Sequence, residues 1–567
     1  MSDSGSGSLP PASLPPAVDV VPRLHVRDPD VWLRAVSWTV IVLAAIQIVV
    51  FSFGRDQGIY ALVGAGILDG KLPYRDLWDF KPPGIFFVYA LAQGIFGKSM
   101  LAPRLLEVGA LLGVVFCMAR LAQTFFGNRT VGYLAGAIAA VVHVELDFWH
   151  TGQPETFGGL FTFAGLVLAT GEGHRKRRVG RLLLVGAAFG AAALLKPPLG
   201  GGALVCAAYL YTRERSRAES WRAGVKAVIL VGSGAVLPIL VCALWFALRG
   251  GWDALVWTLR DFTPGYTALG WEGRHAPEMF YHALLEAFFK FSALGTAGVI
   301  AAITISPMHL REREGLFLVL GVIALHVTGI AMQGKFFQYH YGATLPLVMF
   351  VAGLGLYKLW RRCLTGGLGG ALAFAAFVGV CVAMRQAVGD LPQDFWERSA
   401  MRYRYFFRMA PYERREALDA ELGYVADYNL AADHAVAREL MARTRPGAPV
   451  FVWGFEPVVY WLAERPPASR FIYDVPQRTS WERARARADL LADLRARPPA
   501  AIVVQRNDVF PVVTGNTLDS RDELANFREL KALVDEHYDT AATVEDFEIY
   551  LRRITGTPAS ASVKPAD

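Results

Sequence analysis

At 567 residues the chain has room for about four soluble domains of roughly 150 residues each. Its 54% hydrophobic and 19% charged residues exclude that division, because soluble domains run at roughly 45–50% and ~25%, and mean hydropathy is +0.32. The net charge of +7 is not a nucleic-acid footprint: the basic residues gather in short loops between apolar runs, as membrane topology requires.

Residues 1–30, rich in Ser, Gly and Pro, read as a disordered cytoplasmic tail. The first apolar run, 32–53, exceeds the ~20 helical residues that cross a ~30 Å hydrocarbon core and reads as an uncleaved anchor. Further runs follow near 101–121, 130–147, 156–171, 181–195, 198–211, 225–248, 289–306, 315–333, 340–358 and 367–385, which makes about eleven spans. The two that flank Lys196-Pro197-Pro198 are short enough to be partial or broken helices. Segment 54–100 starts too polar to cross lipid, and its apolar end, 84–97, suits an interfacial or re-entrant helix. It is read as the first outer loop, and 249–288, with Trp252, Trp257 and Trp271, as another. The cysteines (Cys117, Cys206, Cys242, Cys363, Cys381) lie in apolar runs without zinc spacing, so neither disulfides nor structural zinc is expected.

Basic loops at 174–178, 213–222, 311–313 and 361–362 share one side with the N-terminus, and positive loops stay in the cytoplasm. An odd span count then puts everything after Asp390 outside. The predicted fold is a polytopic α-helical protein of the plasma (inner) membrane, with a transmembrane module at 31–388 and an extracytoplasmic α/β domain at 389–567. In that domain short apolar strands at 449–455, 470–473 and 501–505 alternate with helical stretches at 431–443, 481–495 and 521–537.

Ionisable residues beside lipid are costly, so their positions bear on function. One group, Arg55-Asp56-Gln57, follows the first span. A second runs Tyr74-Arg75-Asp76-Leu77-Trp78-Asp79-Phe80-Lys81-Pro82-Pro83-Gly84. A third holds Glu145, Asp147, His150 and Glu155, and the fourth is Lys335 with Gln338-Tyr339-His340-Tyr341. By the topology above all four share the outer face. Carboxylates there can serve as a general base, and lysines or arginines can neutralise a leaving phosphate. Nucleotide sugars are scarce outside the cytoplasm, so a sugar donor on that face would be membrane-borne, linked to a polyprenyl phosphate.

Asp56 and the stretch 67–84 resemble the first outer loop of integral-membrane GT-C glycosyltransferases, in particular the group of protein O-mannosyltransferases and the aminoarabinose transferase of lipid A. His340-Tyr341 followed by Pro346 is similar to that group's H-Y-x-x-x-x-P element, and Val450 to Gly454 with 465–471 resembles the outer domain of its bacterial members. The resemblance implies a polyprenyl-phosphate sugar donor, an acceptor hydroxyl on protein, lipid or polysaccharide, and an inverting displacement. It places the base at Asp56 and the donor phosphate at Lys81. Arg75 and Lys335 are further candidates for the phosphate. Glu155, Asp76, Asp79, His150, His340 and Tyr341 are candidates for the sugar or acceptor pocket. No metal is demanded, although the carboxylate-rich loop offers ligands to a divalent cation.

Each residue also has a plainer role open to it. Asp56 could cap a helix that starts near Gln57, Asp76 and Asp79 could form a charge network with their basic neighbours, and Lys81 could snorkel to the interface. His340 could belong to the aromatic belt. At the level of the whole chain, the rivals are a transporter or flippase of lipid-linked sugars and a non-catalytic envelope assembly protein.

Overall fold

The computed structural model describes residues 28–171, 177–290, 293–305, 308–387 and 394–553. The tail expected at 1–27, most of the basic loop at 174–178, and the domain boundary near 389 lie outside the described residues.

Each apolar run becomes a helix. The first is α1 (Pro29–Val50), followed by two helices in the segment read as the first outer loop, α2 (Arg55–Leu68) and α3 (Gly84–Phe96). Next come α4 (Leu101–Phe126), α5 (Arg129–Glu145), α6 (Pro154–Thr170), α7 (Arg178–Leu195), α8 (Gly202–Ala218) and α9 (Trp221–Leu248). The module closes with α10 (Ala293–Thr304), α11 (Leu310–Gln333), α12 (Leu345–Leu364) and α13 (Gly367–Ala387). Among the described residues, α1, α4, α7, α9 and α11 are the five long and apolar enough to cross a bilayer, fewer than the eleven spans expected. With 13 residues, α3 is about 20 Å long at 1.5 Å per residue, short of the hydrocarbon thickness, as its composition predicted.

Small residues let the helices touch at the backbone, a common device where lipid supplies no hydrophobic drive. On α7 and α9, a Cβ at Gly186 or Gly234 would overlap the main chain of Val231 or Leu183. That crossing fixes α7, which stops at Leu195. Lys196 takes an extended conformation, and a 3₁₀ turn at Pro197–Gly201 separates α7 from α8, so the break expected at the two prolines is present.

The C-terminal domain, read from the sequence as the outer domain, is built on a four-stranded sheet. Its strands are β1 (Val450–Trp453), β2 (Ala501–Gln505), β3 (Tyr538–Val544) and β4 (Phe547–Arg552), in the order β1-β2-β4-β3. Edge strand β1 pairs parallel with β2, Val450 opposite Ala501, and every residue in both strands is buried. The other pairings are antiparallel. Helices α14 (Leu430–Arg443) and α15 (Arg483–Ala496) match expectation, whereas the stretch at 521–537 breaks at Phe527 into Ser520–Asn526 and Arg528–His537. The strand expected at 470–473 is not in the sheet. Its Arg470 carbonyl instead accepts from Trp78 N at 2.7 Å, and Phe471 bridges Trp78 of the first outer loop.

That exchange locates the core. Trp78 is fully buried, with ring centroids of Phe262, Trp257, Tyr473 and Phe471 at 4.8–5.9 Å, and its indole N–H donates to Thr258 at 3.1 Å. First loop, second loop and outer domain thus share one apolar centre. Among the described residues Cys117, Cys206, Cys242 and Cys363 are free thiols.

Candidate active site

Helix α2 starts against a wall that only glycine fits: a Cβ on Gly54 would sit 2.7 Å from the Trp149 ring. Gln57, in the first turn, reaches back. Its Oε1 accepts from Gly54 N at 3.0 Å, and its Nε2 donates to the carbonyls of Phe148 at 3.1 Å and Thr151 at 2.6 Å. The preceding Arg55 is buried in an ion pair with Glu456 and another with Asp427 at 3.0 Å, its guanidinium lying against Phe455 and Phe510. Asp56 lies inside the first turn and caps nothing, so the helix-cap role does not apply to it.

Two donors converge on one oxygen of Asp56. Lys81 Nζ and Gln153 Nε2 each lie 3.2 Å from Oδ2. Lys81 is brought there by Pro82-Pro83-Gly84, because the bare α carbon of Gly84 lets α3 start against the Leu194 main chain. Its ammonium is also 3.4 Å from Tyr339 Oη and 4.8 Å from that ring's centre. Burial would lower the pKa of Lys81, but Asp56 and Asp79 outweigh it and hold the ammonium charged.

A second lysine stands opposite. Lys196, at the end of α7, pairs with Glu155 in the first turn of α6, and lies 5.5 Å from the Tyr339 ring. Tyr339 is therefore set between two cations. Beside it opens a cavity of about 470 Å³. Lys81, Lys196, Lys335 and Glu155 supply its polar end, while Leu194 and Leu195 with Ile239, Cys242 and Leu259 form an apolar wall. Asp56 stands behind Lys81 rather than on this wall, and its side chain keeps 23% exposure.

The remaining candidates divide. Lys335 lines the cavity, donates to the Val512 carbonyl of the outer domain and lies 3.4 Å over the Tyr266 ring; burial lowers its pKa to about 7. His340 also lines it. His150 stacks on Tyr339 at 6.1 Å, and burial takes its pKa down to about 4, so the ring is neutral at pH 7. Arg75 and Asp76 lie elsewhere. They pair with each other at 2.7 Å on the loop's outer rim, with Arg75 also donating to the Arg249 carbonyl at 3.1 Å and Asp76 accepting from Leu72 N at 2.8 Å. Tyr341 is buried in the helix bundle, away from the cavity. Tyr339 stands in the fourth group named from the sequence and Lys196 at the Lys-Pro-Pro break, though neither was given a part in the site, and Gln153 and Tyr60 were not named at all. Among the described residues no three His, Cys, Asp or Glu side chains converge as a cation site.

Asp79 ties the loop to the outer domain. It is buried and accepts from Tyr473 Oη at 2.6 Å, and burial, opposed by Lys81 and Tyr473, raises its pKa to about 6. The folded chain therefore holds this proton more tightly than an unfolded one, whose carboxyl titrates near 4. The stability gained is complete below pH ~4 and is lost as pH rises through 6, on the order of 2–3 kcal/mol for a fully buried group. Thermal unfolding of Asp79→Asn in detergent should accordingly vary less between pH 4 and 7 than that of wild type. Parallel curves would show that another group carries the dependence.

Residues 80–245 match the family described as dolichyl-phosphate-mannose-protein mannosyltransferase. No curated protein sequence matches the chain. Among solved structures, ArnT from Cupriavidus metallidurans bound to undecaprenyl phosphate aligns with a TM-score of 0.55 at 14% identity, over 93% of this chain and 99% of that one. The apo state of the same protein gives 0.55 at 13% identity, over 92% and 97%. A loop carrying Asp56 and Lys81, a bundle broken at Lys196 and a C-terminal domain seated on the first loop are thus parts of a fold shared along nearly the whole chain: this is a multi-pass membrane protein whose fold resembles that of ArnT and the GT-C membrane enzymes.

Proposed function

We propose that the protein moves a sugar from a polyprenyl-phosphate donor to an acceptor hydroxyl. The cavity carries this reading. Its apolar wall includes Ile239 of α9, whose side chain is 42% exposed on a helix apolar enough to face lipid, so the wall continues outward into the bilayer. A lipid tail on that wall brings its phosphate to Lys81, Lys196 and Lys335. The matched mannosyltransferase family and ArnT, solved with undecaprenyl phosphate, support a donor of this class.

In the proposed reaction Asp56 takes the proton of the acceptor hydroxyl as its oxygen attacks the anomeric carbon with inversion. The sugar–phosphate bond breaks, and Lys81 balances the charge left on the lipid phosphate. Glu155, held by Lys196, and His340 line the sugar pocket. Because Asp56 and Glu155 each have a lysine partner, the scheme needs no metal. The acceptor is a protein, lipid or polysaccharide hydroxyl. We place about eleven spans in the plasma membrane, the N-terminus in the cytoplasm and residues 389–567 outside, since basic loops segregate to one side.

The test is release of polyprenyl phosphate from defined sugar donors by protein in lipid nanodiscs. Lys81→Ala should raise the donor KM at least about 10-fold and also lower kcat, because the cation meets phosphate in both ground and transition states. Movement of intact donor between leaflets, with no cleavage, would instead make the protein a flippase. The family match and shared fold favour the transferase.

A further inference from the structure

We infer that Gln153 is a positioning residue that decides which oxygen of Asp56 receives the acceptor's proton; the inference rests on the glycosyl-transfer reading above. Gln153 is buried at the N-terminus of α6, and its side chain does not cap that helix. Its Nε2 donates to Asp56 Oδ2 and to the Trp149 carbonyl, both at 3.2 Å, while its Oε1 accepts from Tyr60 Oη at 2.9 Å. Turned over, the amide would set its oxygen against a carboxylate and a carbonyl, so the surroundings select one orientation. Burial first, then Asp56 and Asp79, keep the Tyr60 phenol well above its usual range, so it remains a donor to Gln153.

Tyr60 stands one helical turn beyond Asp56 on α2, so Asp56, Gln153 and Tyr60 form a closed link between α2 and α6. Two residues further along α6 is Glu155, the partner of Lys196. Lys81 also meets Oδ2, at 3.2 Å. With both donors on that oxygen, Oδ1 is the one without a donor among the described residues. In the step that follows, the acceptor O–H bond breaks and its proton goes to Oδ1. The acceptor oxygen bonds to the anomeric carbon, and the electron pair of the sugar–phosphate bond leaves with the lipid phosphate.

Gln153→Glu tests this, because it preserves shape while replacing the amide donor with a carboxylate against Asp56. A like charge there disfavours the ionised base. The acid limb of the kcat profile should move up by about one pH unit or more, and kcat at pH 7 should fall about 10–100-fold, with donor KM unchanged. Tyr60→Phe, which frees the amide without adding charge, should lower kcat and leave the limb in place. A Gln153→Glu profile that superimposes on wild type would overturn the inference alone. Were that variant unable to fold, Gln153→Ala replaces it: reduced kcat at constant donor KM supports positioning, and wild-type kcat overturns it. Absence of transfer by wild type with every donor would overturn both the inference and the reading beneath it.

Discussion

Asp56→Asn is expected to cut glycosyl transfer by about 10²–10⁴-fold, the range for loss of a general base. Asn keeps the outline of Asp and can still accept from Gln153 and Lys81 through its carbonyl oxygen, but it cannot take a proton. Since Asp56 caps no helix, the change leaves the start of α2 to Gly54 and Gln57, which make their own hydrogen bonds. Stability should therefore move little. Donor affinity should stay within a few-fold of wild type, because Lys81 remains to meet the phosphate. Single-turnover rates with a defined polyprenyl-phosphate sugar, beside donor binding and thermal unfolding, separate these quantities. Turnover near the wild-type rate would remove Asp56 as the base.

Arg55→Met should destabilise the protein by about 3–5 kcal/mol, the usual result of stripping one partner from a buried ion pair. Its guanidinium holds Glu456 and Asp427 at the seam between α2 and the outer domain. Glu456 is fully enclosed, and burial, opposed by Arg55, raises its pKa to about 7. Without Arg55 the carboxylate has lost its counter-charge and gains by taking up a proton. The penalty should thus be smaller at pH 6 than at pH 8. Adding Glu456→Gln removes the stranded charge and should recover much of the loss, a coupling readable from a double-mutant cycle. Activity should fall too, since the next residue is Asp56. Additive losses in the double variant would show that the pair is not what holds the seam.

Much of the bundle was legible in the sequence because a bilayer imposes a length and a polarity on each helix. Runs such as 225–248 and 315–333 meet both with little help from tertiary structure. Asp56 and Lys81 could be picked out because a charge beside lipid needs a reason. Arg75 and Asp76 carry the same signal yet pair with each other at the rim, a geometry set by the local turn and invisible in residue type. Gln153 and Tyr60 gave no signal: both are neutral, and their value comes from contacts across about 90 residues of chain. The stretch at 470–473 reads as a strand because it is apolar, but it pairs with Trp78 of the first outer loop instead of joining the sheet. The hairpin β3–β4 hides for the opposite reason. Its exposed positions carry charges and threonines, which mask the alternation of a half-buried edge.

The burial of Trp78 between the first loop and the outer domain also sets an order of events during synthesis. Tyr473 reaches Asp79 across 394 residues, and Arg55 reaches Glu456 across 401. Contacts of such separation close only when the far partner exists. Until then the loop that carries Asp56 and Lys81 lacks Phe471 and Tyr473 around its indole and has no counter-charge for Arg55. A nascent or C-terminally truncated chain would thus hold the reacting groups without their geometry. The proposed transfer would then begin only after residues 394–553 had packed over the first loop.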